Sequence, residues 1–232
     1  MNQPRLESEA ERLAALREYH VLDTLAEKAY DDITQLAAHL CQVPISMVSL
    51  VDEARQWFKS RVGLSITQTP REVAFCSRAI QQSSPLIISD ALKDHRFAGN
   101  ELVTGAPHIR FYAGFPLINP EGFPLGTLCA IDQKPRKLSV EQTRSMHALA
   151  RQVIALLELR RVSAHLARAL EHVKTLHGLL PICAWCKRIR DDQGYWNQVE
   201  AYVSAHSDAD FTHGICPKCL EKEQRKKNRR KK

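Results

Sequence analysis

Long apolar runs are absent from this sequence of 232 residues. A membrane-spanning helix needs about 18 or more consecutive apolar residues, and no stretch here reaches that length. The N-terminus is also too rich in charged residues for a secretory signal peptide. We therefore expect a cytoplasmic protein that makes no use of a membrane.

Residue arrangements typical of hydrolytic enzymes are also missing. The sequence shows neither a Ser-His-Asp set nor a pair of carboxylates that would serve as general acid and base. We therefore predict a protein without enzymatic activity.

Net positive charge is confined to one end of the chain. The net charge of +7 equals the charge of the seven Lys and Arg residues within 225–232, so the rest of the chain is balanced. Such terminal runs are usually solvated and disordered, and this one has no interleaved aromatic residues of the kind that bind nucleic acid. We predict a disordered basic tail at 225–232 and do not expect nucleic acid as a partner.

A helical pattern extends over residues 140–180 between two clear boundary signals. Ser139 and Gln142 have the spacing of a capping box, and Pro181 cannot continue a helix. Apolar residues then alternate at spacings of four and three, at Val162, Leu166, Ala169, Val173, Leu176 and Leu180. This seam predicts one long helix that pairs in a parallel homodimeric coiled coil. Two shorter helices broken near Ser163 are the alternative.

The residues before this helix alternate between helical and strand patterns. A helix is predicted within 1–20, and a domain of helices and strands follows at 21–139. The strands are expected at 45–51, 56–62, 86–89, 109–118 and 123–132, with 67–71 and 90–105 as loops. This order predicts an α+β fold, in which helices back an antiparallel sheet.

Five stretches of this domain resemble the GAF sensory domains of bacteria. They are 48–53 (VSLVDE), 55–60 (RQWFKS), 71–76 (REVAFC), 109–114 (IRFYAG) and 125–132 (LGTLCAID). The resemblance implies a six-stranded antiparallel sheet with a ligand cleft on one face and dimerising helices on the other. The NKFDE-type pattern of cyclic-nucleotide-binding members is not visible, which argues against cyclic AMP or GMP as the ligand.

The same resemblance places the ligand cleft between the sheet and the segments 67–82 and 90–108. The expected ligand-binding residues are Trp57, Phe75, Cys76, Arg110 and Tyr112. Arg110 would act as a counter-ion for an acidic ligand, while the aromatic residues have plain core packing as their alternative. Cys76 and Cys129 are expected to be inert core residues, because buried free cysteine behaves as a small apolar residue. A redox pair, or attachment of a linear tetrapyrrole to Cys76, are the alternatives.

Two C-x-x-C units stand near the C-terminus, Cys183/Cys186 and Cys216/Cys219. Two such units typically bind one Zn²⁺ in a tetrahedral Cys₄ site, and a filled shell has no open position for catalysis. We predict a structural zinc module of the treble-clef or zinc-ribbon type at 181–224. Thiol exchange by the C-x-x-C units, or His213 in place of one cysteine, are the alternatives.

Together these features predict a homodimeric signal-transduction protein. Its GAF domain would sense a small ligand or a redox state, and the long helix would relay the change to the zinc module. That module would dock a protein of a signalling pathway, such as a kinase, a cyclase or a regulator. A nucleic-acid-binding regulator that uses the zinc module and the basic tail is the first alternative. A GAF-type methionine sulfoxide reductase is the second.

Overall fold

The computed structural model describes residues 9–172, 180–207 and 209–229. The chain forms two units, Met1–His165 and Leu166–Lys232. None of the helices in the described ranges has the length and apolar character needed to cross a membrane.

The first unit is built on one antiparallel sheet with helices on both faces. Its helices are α1 (Glu9–Glu18), α2 (Lys28–Cys41), α3 (Phe75–Ala79), α4 (Glu101–Thr104) and the first part of α5 (Val140–His172). Its strands are β1 (Ile45–Val51), β2 (Arg55–Val62), β3 (Gln68–Pro70), β4 (Leu86–Ile88), β5 (Phe111–Ile118) and β6 (Pro124–Asp132). The strand order is β3-β2-β1-β6-β5-β4, and every pairing is antiparallel. The predicted α+β fold with a six-stranded sheet is confirmed.

Each face of the sheet carries its own apolar core. Because successive side chains of a strand point to opposite faces, one strand supplies both cores. On the helix side, Leu16 of α1, Ala37 of α2 and Val153 of α5 pack against the sheet. On the opposite side, α3 and the segments around α4 cover residues such as Met47 and Ile131. The two faces therefore separate a helix-packing surface from a surface closed by short helices and loops.

Helix α5 begins where the capping box predicts. The backbone N–H of Gln142 donates to Ser139 Oγ at 3.1 Å, and the backbone N–H of Ser139 donates to Gln142 Oε1 at 2.9 Å. Buried residues such as Met146 and Val153 anchor this helix on the sheet. Val162 is 58% exposed, so the predicted seam begins where packing on the sheet ends. The part of the predicted helix and seam at 173–179 lies outside the described residues.

The loops at 67–71 and 90–105 contain more regular structure than the sequence indicated. Gln68–Pro70 forms the edge strand β3, because its backbone pairs antiparallel with residues 55–57 of β2. Within the second segment, Asn100 caps α4 by accepting a hydrogen bond from the backbone N–H of Leu102 at 2.8 Å. Both segments close the α3 face of the sheet.

The second unit contains a short hairpin and two helices. These are β7 (Ile189–Arg190), β8 (Trp196–Asn197), α6 (Val199–His206) and α7 (Pro217–Arg229). Ile189 is the single fully buried side chain among the residues described in this unit, and Trp185 is 94% exposed. Helix α7 continues through Arg229, whereas the sequence analysis placed a disordered tail from residue 225. Lys and Arg are good helix formers and are favourable near a helix C-terminus, which explains the extension.

Candidate functional site

A cavity of about 40 Å³ lies in the α3 face of the sheet. Apolar side chains from several elements form most of its wall, among them Ile45, Phe58 and Ile109. A buried site needs about 10–15 Å³ for each water-sized group, so this space holds about three such groups. Ile66 also lines the cavity and is 46% exposed, which places it where the cavity meets the surface.

Two polar side chains of the cavity wall have buried atoms without hydrogen-bond partners among the described residues. These atoms are Gln56 Oε1 and Thr69 Oγ1. Gln56 on β2 and Thr69 on β3 are direct cross-strand neighbours, so their side chains line the same part of the wall. They are 5% and 9% exposed. A buried polar atom left unpaired costs about 1–3 kcal/mol, so these two atoms are positions at which a small molecule could form hydrogen bonds with the wall.

A second polar group lies in the wall beside Phe75. The hydroxyl of Tyr112 donates a hydrogen bond to Cys76 Sγ at 3.2 Å. Gly114 permits this contact, since a Cβ at that position would lie 2.1 Å from Tyr112 Oη. Cys129, which is opposite Gly114 in the β5–β6 ladder, lies in the same buried core cluster as Cys76 and Tyr112. The structure thus brings Cys76 and Tyr112 together in the cavity wall, with Cys129 in the same buried cluster.

The two thiols of this cluster differ in acidity. Burial by itself would raise the pKa of the Cys76 thiol, but the polar side chains around it, among them Tyr112 with its hydrogen bond, lower it to about 6. These neighbours are Cys129, Ser49, Thr127 and Tyr112. Burial raises the pKa of the Cys129 thiol well above its usual value, and the contact with Cys76 raises it further. Cys76 is therefore the thiol that ionises first.

Three of the five ligand residues expected from the sequence line the cavity, namely Phe75, Cys76 and Tyr112. Trp57 lies in the core on the helix side, on the opposite face of the sheet. Arg110 forms a two-pronged ion pair with Asp90 at 2.8 and 2.9 Å, so its guanidinium already has a carboxylate partner. The structure therefore does not bring Trp57 or Arg110 to the cavity.

Gln56 and Thr69 were missed by the sequence analysis. A signal for Gln56 was present, because it shares a face of β2 with the apolar residue Phe58, two positions away. Because successive side chains of a strand point to opposite faces, the adjacent residues Trp57 and Phe58 lie on opposite faces of the sheet. Thr69 gives no such signal, since its place depends on the pairing of a three-residue edge strand with β2.

The four cysteines of the second unit lie as two local pairs. The backbone N–H of Cys186 points to Cys183 Sγ at 3.5 Å, and this contact lowers the pKa of Cys183. The backbone N–H of Cys219 lowers the pKa of Cys216 in the same way. Thiolates are the metal-binding form, so each pair fits half of a zinc site. Within the described ranges, no three Cys, His, Asp or Glu residues come together as a metal-binding group, and the two pairs do not meet at one centre.

A six-stranded antiparallel sheet with a small cavity on one face and packed helices on the other defines a domain of the α+β class. Residues 26–157, more than half of the chain, match the family described as the GAF domain. This chain therefore belongs to the GAF-domain family, whose members serve as sensors in signalling proteins, and the resemblance seen in the sequence is confirmed.

One relative with a curated name is a cyclic di-GMP phosphodiesterase from Pseudomonas aeruginosa. It is 40% identical over 153 residues, which cover 66% of this chain and 26% of that protein. The match thus spans about a quarter of the relative's length. This relative shows that the prediction of a protein without enzymatic activity is wrong, because a segment 40% identical to this chain occurs in an enzyme.

Of two similar solved structures, the first supports the fold. The blue-light-absorbing form of the PixJ GAF domain from Thermosynechococcus elongatus gives a TM-score of 0.51 at 14% identity, and the match covers 69% of this chain and 97% of that one. A free methionine-R-sulfoxide reductase from Neisseria meningitidis, in complex with its substrate, gives a TM-score of 0.48 at 14% identity, with 70% and 99% covered. At these identities the likenesses concern the fold alone.

Proposed function

We propose that this chain is a regulatory protein of cyclic di-GMP signalling, whose GAF domain binds a small ligand and changes the state of its C-terminal unit. The observation that carries the proposal is the cavity in which Gln56 Oε1 and Thr69 Oγ1 lack partners. The name of the 40% identical relative supports the signalling context.

The chemistry of the wall describes the ligand. Gln56 Oε1 can only accept a hydrogen bond, whereas the Thr69 hydroxyl can donate or accept one. The remaining wall is mostly apolar, and Arg110 is paired with Asp90, so an uncharged molecule fits best. We infer a ligand of about three non-hydrogen atoms that carries an N–H or O–H donor, in accordance with the size of the space.

Strand β2 offers a path from this cavity to helix α5. Gln56 lines the cavity on one face of β2, and Lys59 lies three residues further on the helix side. Lys59 Nζ and Arg160 Nη1 of α5 both bind Glu27 Oε1, at 2.6 and 2.7 Å. A ligand that moves β2 would therefore act on a carboxylate that is bonded to Arg160 in the interior of α5.

For the C-terminal unit we propose one zinc ion per chain, held by Cys183, Cys186, Cys216 and Cys219. The support is the thiolate-favouring contacts in each pair, together with a unit whose apolar side chains are largely exposed. Metal binding supplies folding free energy to small units that lack a core. We further propose a cytoplasmic homodimer that pairs through α5 and docks a protein partner with this unit.

Ligand binding is tested with formamide, an uncharged molecule of three non-hydrogen atoms with a donor and an acceptor. Titration of the full chain should shift the side-chain amide signal of Gln56 in nuclear magnetic resonance spectra. Thr69→Val removes the hydroxyl but keeps the shape, and this variant should respond less. An unchanged Gln56 signal at saturating formamide in the wild type would reject the cavity as a ligand site.

The signalling context is tested in bacterial cells by mass spectrometry of extracted cyclic di-GMP. Expression of the full chain should change the cyclic di-GMP level, whether the chain acts on the nucleotide itself or through a partner. Thr69→Val at the same expression level should alter the size of that change. A nucleotide level that does not respond to the wild-type chain would contradict the signalling assignment and leave the ligand site standing.

A further inference from the structure

We propose that Cys76 is a site of oxidation by a small hydroperoxide, and that Cys129 resolves the oxidised product as a disulfide. The inference rests on the proposed ligand-binding function, because it names one chemical class of signal for the same cavity. It draws on three features of the first unit: the size of the cavity, the two unpartnered polar atoms, and Cys76 in the wall with Cys129 in the same buried cluster.

The size and polarity of the cavity suit a hydroperoxide. Hydrogen peroxide has two non-hydrogen atoms, and the cavity of about 40 Å³ accommodates about three water-sized groups. Each end of the peroxide has an O–H group that can donate a hydrogen bond to Gln56 Oε1. Each end also has an oxygen that can accept a hydrogen bond from the Thr69 hydroxyl. Both polar atoms that lack partners in the wall are thereby satisfied by one small molecule.

The cavity places such a molecule against a sulfur that is prepared to react. Cys76 lines the cavity together with Tyr112, whose hydroxyl donates to the Cys76 sulfur. A hydrogen bond to the charged form of a group favours that form, and the thiolate is the nucleophile in thiol oxidation. Tyr112 is thus a positioning residue, since it acts through Cys76.

A second thiol is available at the same place. Cys129 on β6 lies in the same buried cluster as Cys76 of α3, and it pairs with Gly114, the residue against which the Tyr112 hydroxyl packs. The Cys129 sulfur donates to the backbone carbonyl of Met47 at 3.6 Å. Cys41, the third cysteine of this unit, is equally buried but belongs to the core on the helix side. Burial raises the pKa of Cys41 to about 11. Cys41 is therefore a matched, unreactive control.

The proposed chemistry proceeds in two balanced steps. The Cys76 thiolate attacks one peroxide oxygen, an S–O bond forms as the O–O bond breaks, and hydroxide leaves, taking a proton to become water. The Cys129 thiol then loses its proton and attacks the Cys76 sulfenic acid, so that an S–S bond forms and a second water leaves. The two thiols together lose two electrons, and the peroxide gains them. A dithiol reductant restores both thiols by exchange.

The product would change the α3 face of the sheet. A disulfide requires a specific separation and dihedral angle, so its formation would pull the start of α3 against β6. It would also remove the sulfur acceptor of the Tyr112 hydroxyl, which is fully buried. Both effects act on the cavity that Gln56 and Thr69 also line, and they offer a route from oxidation to strand β2.

The test uses the reduced full chain, exposed to hydrogen peroxide and then alkylated, with every cysteine followed by peptide mass spectrometry. We expect a Cys76–Cys129 disulfide that dithiothreitol reverses, while Cys41 stays reduced. Dimedone should label Cys76 as a sulfenic acid in Cys129→Ser, and Cys129→Ala provides a second variant if serine disturbs the fold. In Tyr112→Phe, the pH at which oxidation reaches half its maximal rate should rise.

Exposed Cys186 in the same sample reports that the peroxide was active. If Cys186 is oxidised while Cys76 stays reduced, the inference is overturned. It also fails if Cys41 reacts as fast as Cys76, because that result indicates reaction of the unfolded chain. A reduced Cys76 combined with a formamide-responsive Gln56 would reject the oxidation site alone, whereas loss of both responses would reject the proposed ligand site as well.

Discussion

The ammonium group of Lys59 lies 2.6 Å from Glu27 Oε1, and the Lys59 side chain has no exposed surface. Lys59 also donates to Thr24 Oγ1 and to the backbone carbonyl of Leu25, both at 2.8 Å. Arg160 of α5 binds the same carboxylate oxygen at 2.7 Å. Glu27 therefore joins a buried cation of the sheet to the helix that leaves the domain.

Removal of this carboxylate should destabilise the first unit. Breaking a fully buried ion pair costs about 3–5 kcal/mol, because one charge is left buried without its partner. Glu27 is 41% exposed on its side chain, so water relieves part of that cost, and we expect about 1–3 kcal/mol for Glu27→Ala. Denaturant unfolding measures the change.

Asp32→Ala is the matched control, since Asp32 pairs with Lys28 on the exposed surface of α2 at 2.9 Å. An exposed pair of this kind contributes about 0–1 kcal/mol. Equal losses of unfolding free energy in Glu27→Ala and Asp32→Ala would show that burial of Lys59 adds nothing to the pair.

The stability of the first unit should also depend on pH through Glu9. Arg12 Nη2 and Arg71 Nη1 lie 2.7 and 2.6 Å from Glu9 Oε1. The hydrogen bond from Arg12, supported by Arg71 and opposed by burial, lowers the pKa of Glu9 from 4.5 to about 2. A lowered folded-state pKa gives stabilisation that is complete above the unfolded pKa and is lost as the pH falls towards the folded one.

We therefore compare the wild type with Glu9→Gln by denaturant unfolding above pH 4.5 and near pH 2. Because the Glu9 side chain is 46% exposed, solvent screens these pairs, and the wild type should exceed the variant by about 1 kcal/mol at the higher pH. That difference should disappear near pH 2. A difference that is constant across this range would contradict the role given to Glu9 ionisation.

Gly114 should be essential for the cluster that contains Cys76. A Cβ at this position would lie 2.1 Å from Tyr112 Oη, so Gly114→Ala must displace a fully buried phenol. Overpacking of a core typically costs about 1–3 kcal/mol, and we expect a loss in that range by thermal or denaturant unfolding. Gly99→Ala is the control, since no atom lies within 4 Å of its added Cβ. If both variants unfold alike, the close approach at Gly114 is unimportant.

Local sequence patterns predicted much of this fold. The apolar and β-branched run Ile45–Val51 was predicted as a strand and has those bounds, and the capping box fixed the start of α5. Such features depend on neighbours in sequence, which is why they are readable. The edge strand β3 was read as a loop, because its hydrogen bonds come from β2 and not from its own residues.

The site was less predictable than the fold, for a related reason. The family resemblance led to Phe75, Cys76 and Tyr112, all of which line the cavity. Trp57 was predicted together with them. It is adjacent to Phe58 in β2, however, and the alternation of side chains along a strand places it on the other face. Arg110 was expected to meet a ligand, but Asp90 is twenty positions away in sequence, and its pairing with Arg110 depends on the folded chain.

Zinc in the second unit remains a prediction with a direct measurement. Elemental analysis of the purified full chain should find about one zinc per chain, because two C-x-x-C pairs supply four thiolates. Cys216→Ser should abolish binding and unfold residues 181–224, while the first unit keeps its unfolding transition. Cys41→Ser is a control that should retain the metal. A zinc-free chain in which α6 and α7 still form would show that this unit needs no metal.

The last prediction concerns the seam on α5. Val162 is 58% and Leu166 is 59% exposed in the single chain, as apolar positions reserved for a partner helix would be. A charged residue in a coiled-coil core position weakens association strongly. Val162→Lys and Leu166→Lys should therefore convert a dimer to a monomer in sedimentation at micromolar concentration, without loss of the fold of the first unit.

Leu25→Lys is the matched control, since Leu25 is 89% exposed outside this seam and should not affect association. If the wild type is itself a monomer, the parallel dimer is rejected. Any effect of strand β2 on α5 through Glu27 would then be confined to one chain, because Arg160 binds Glu27 of the same chain at 2.7 Å. A dimer that Leu25→Lys disrupts and Leu166→Lys does not would instead move the interface away from α5 to the surface around Leu25.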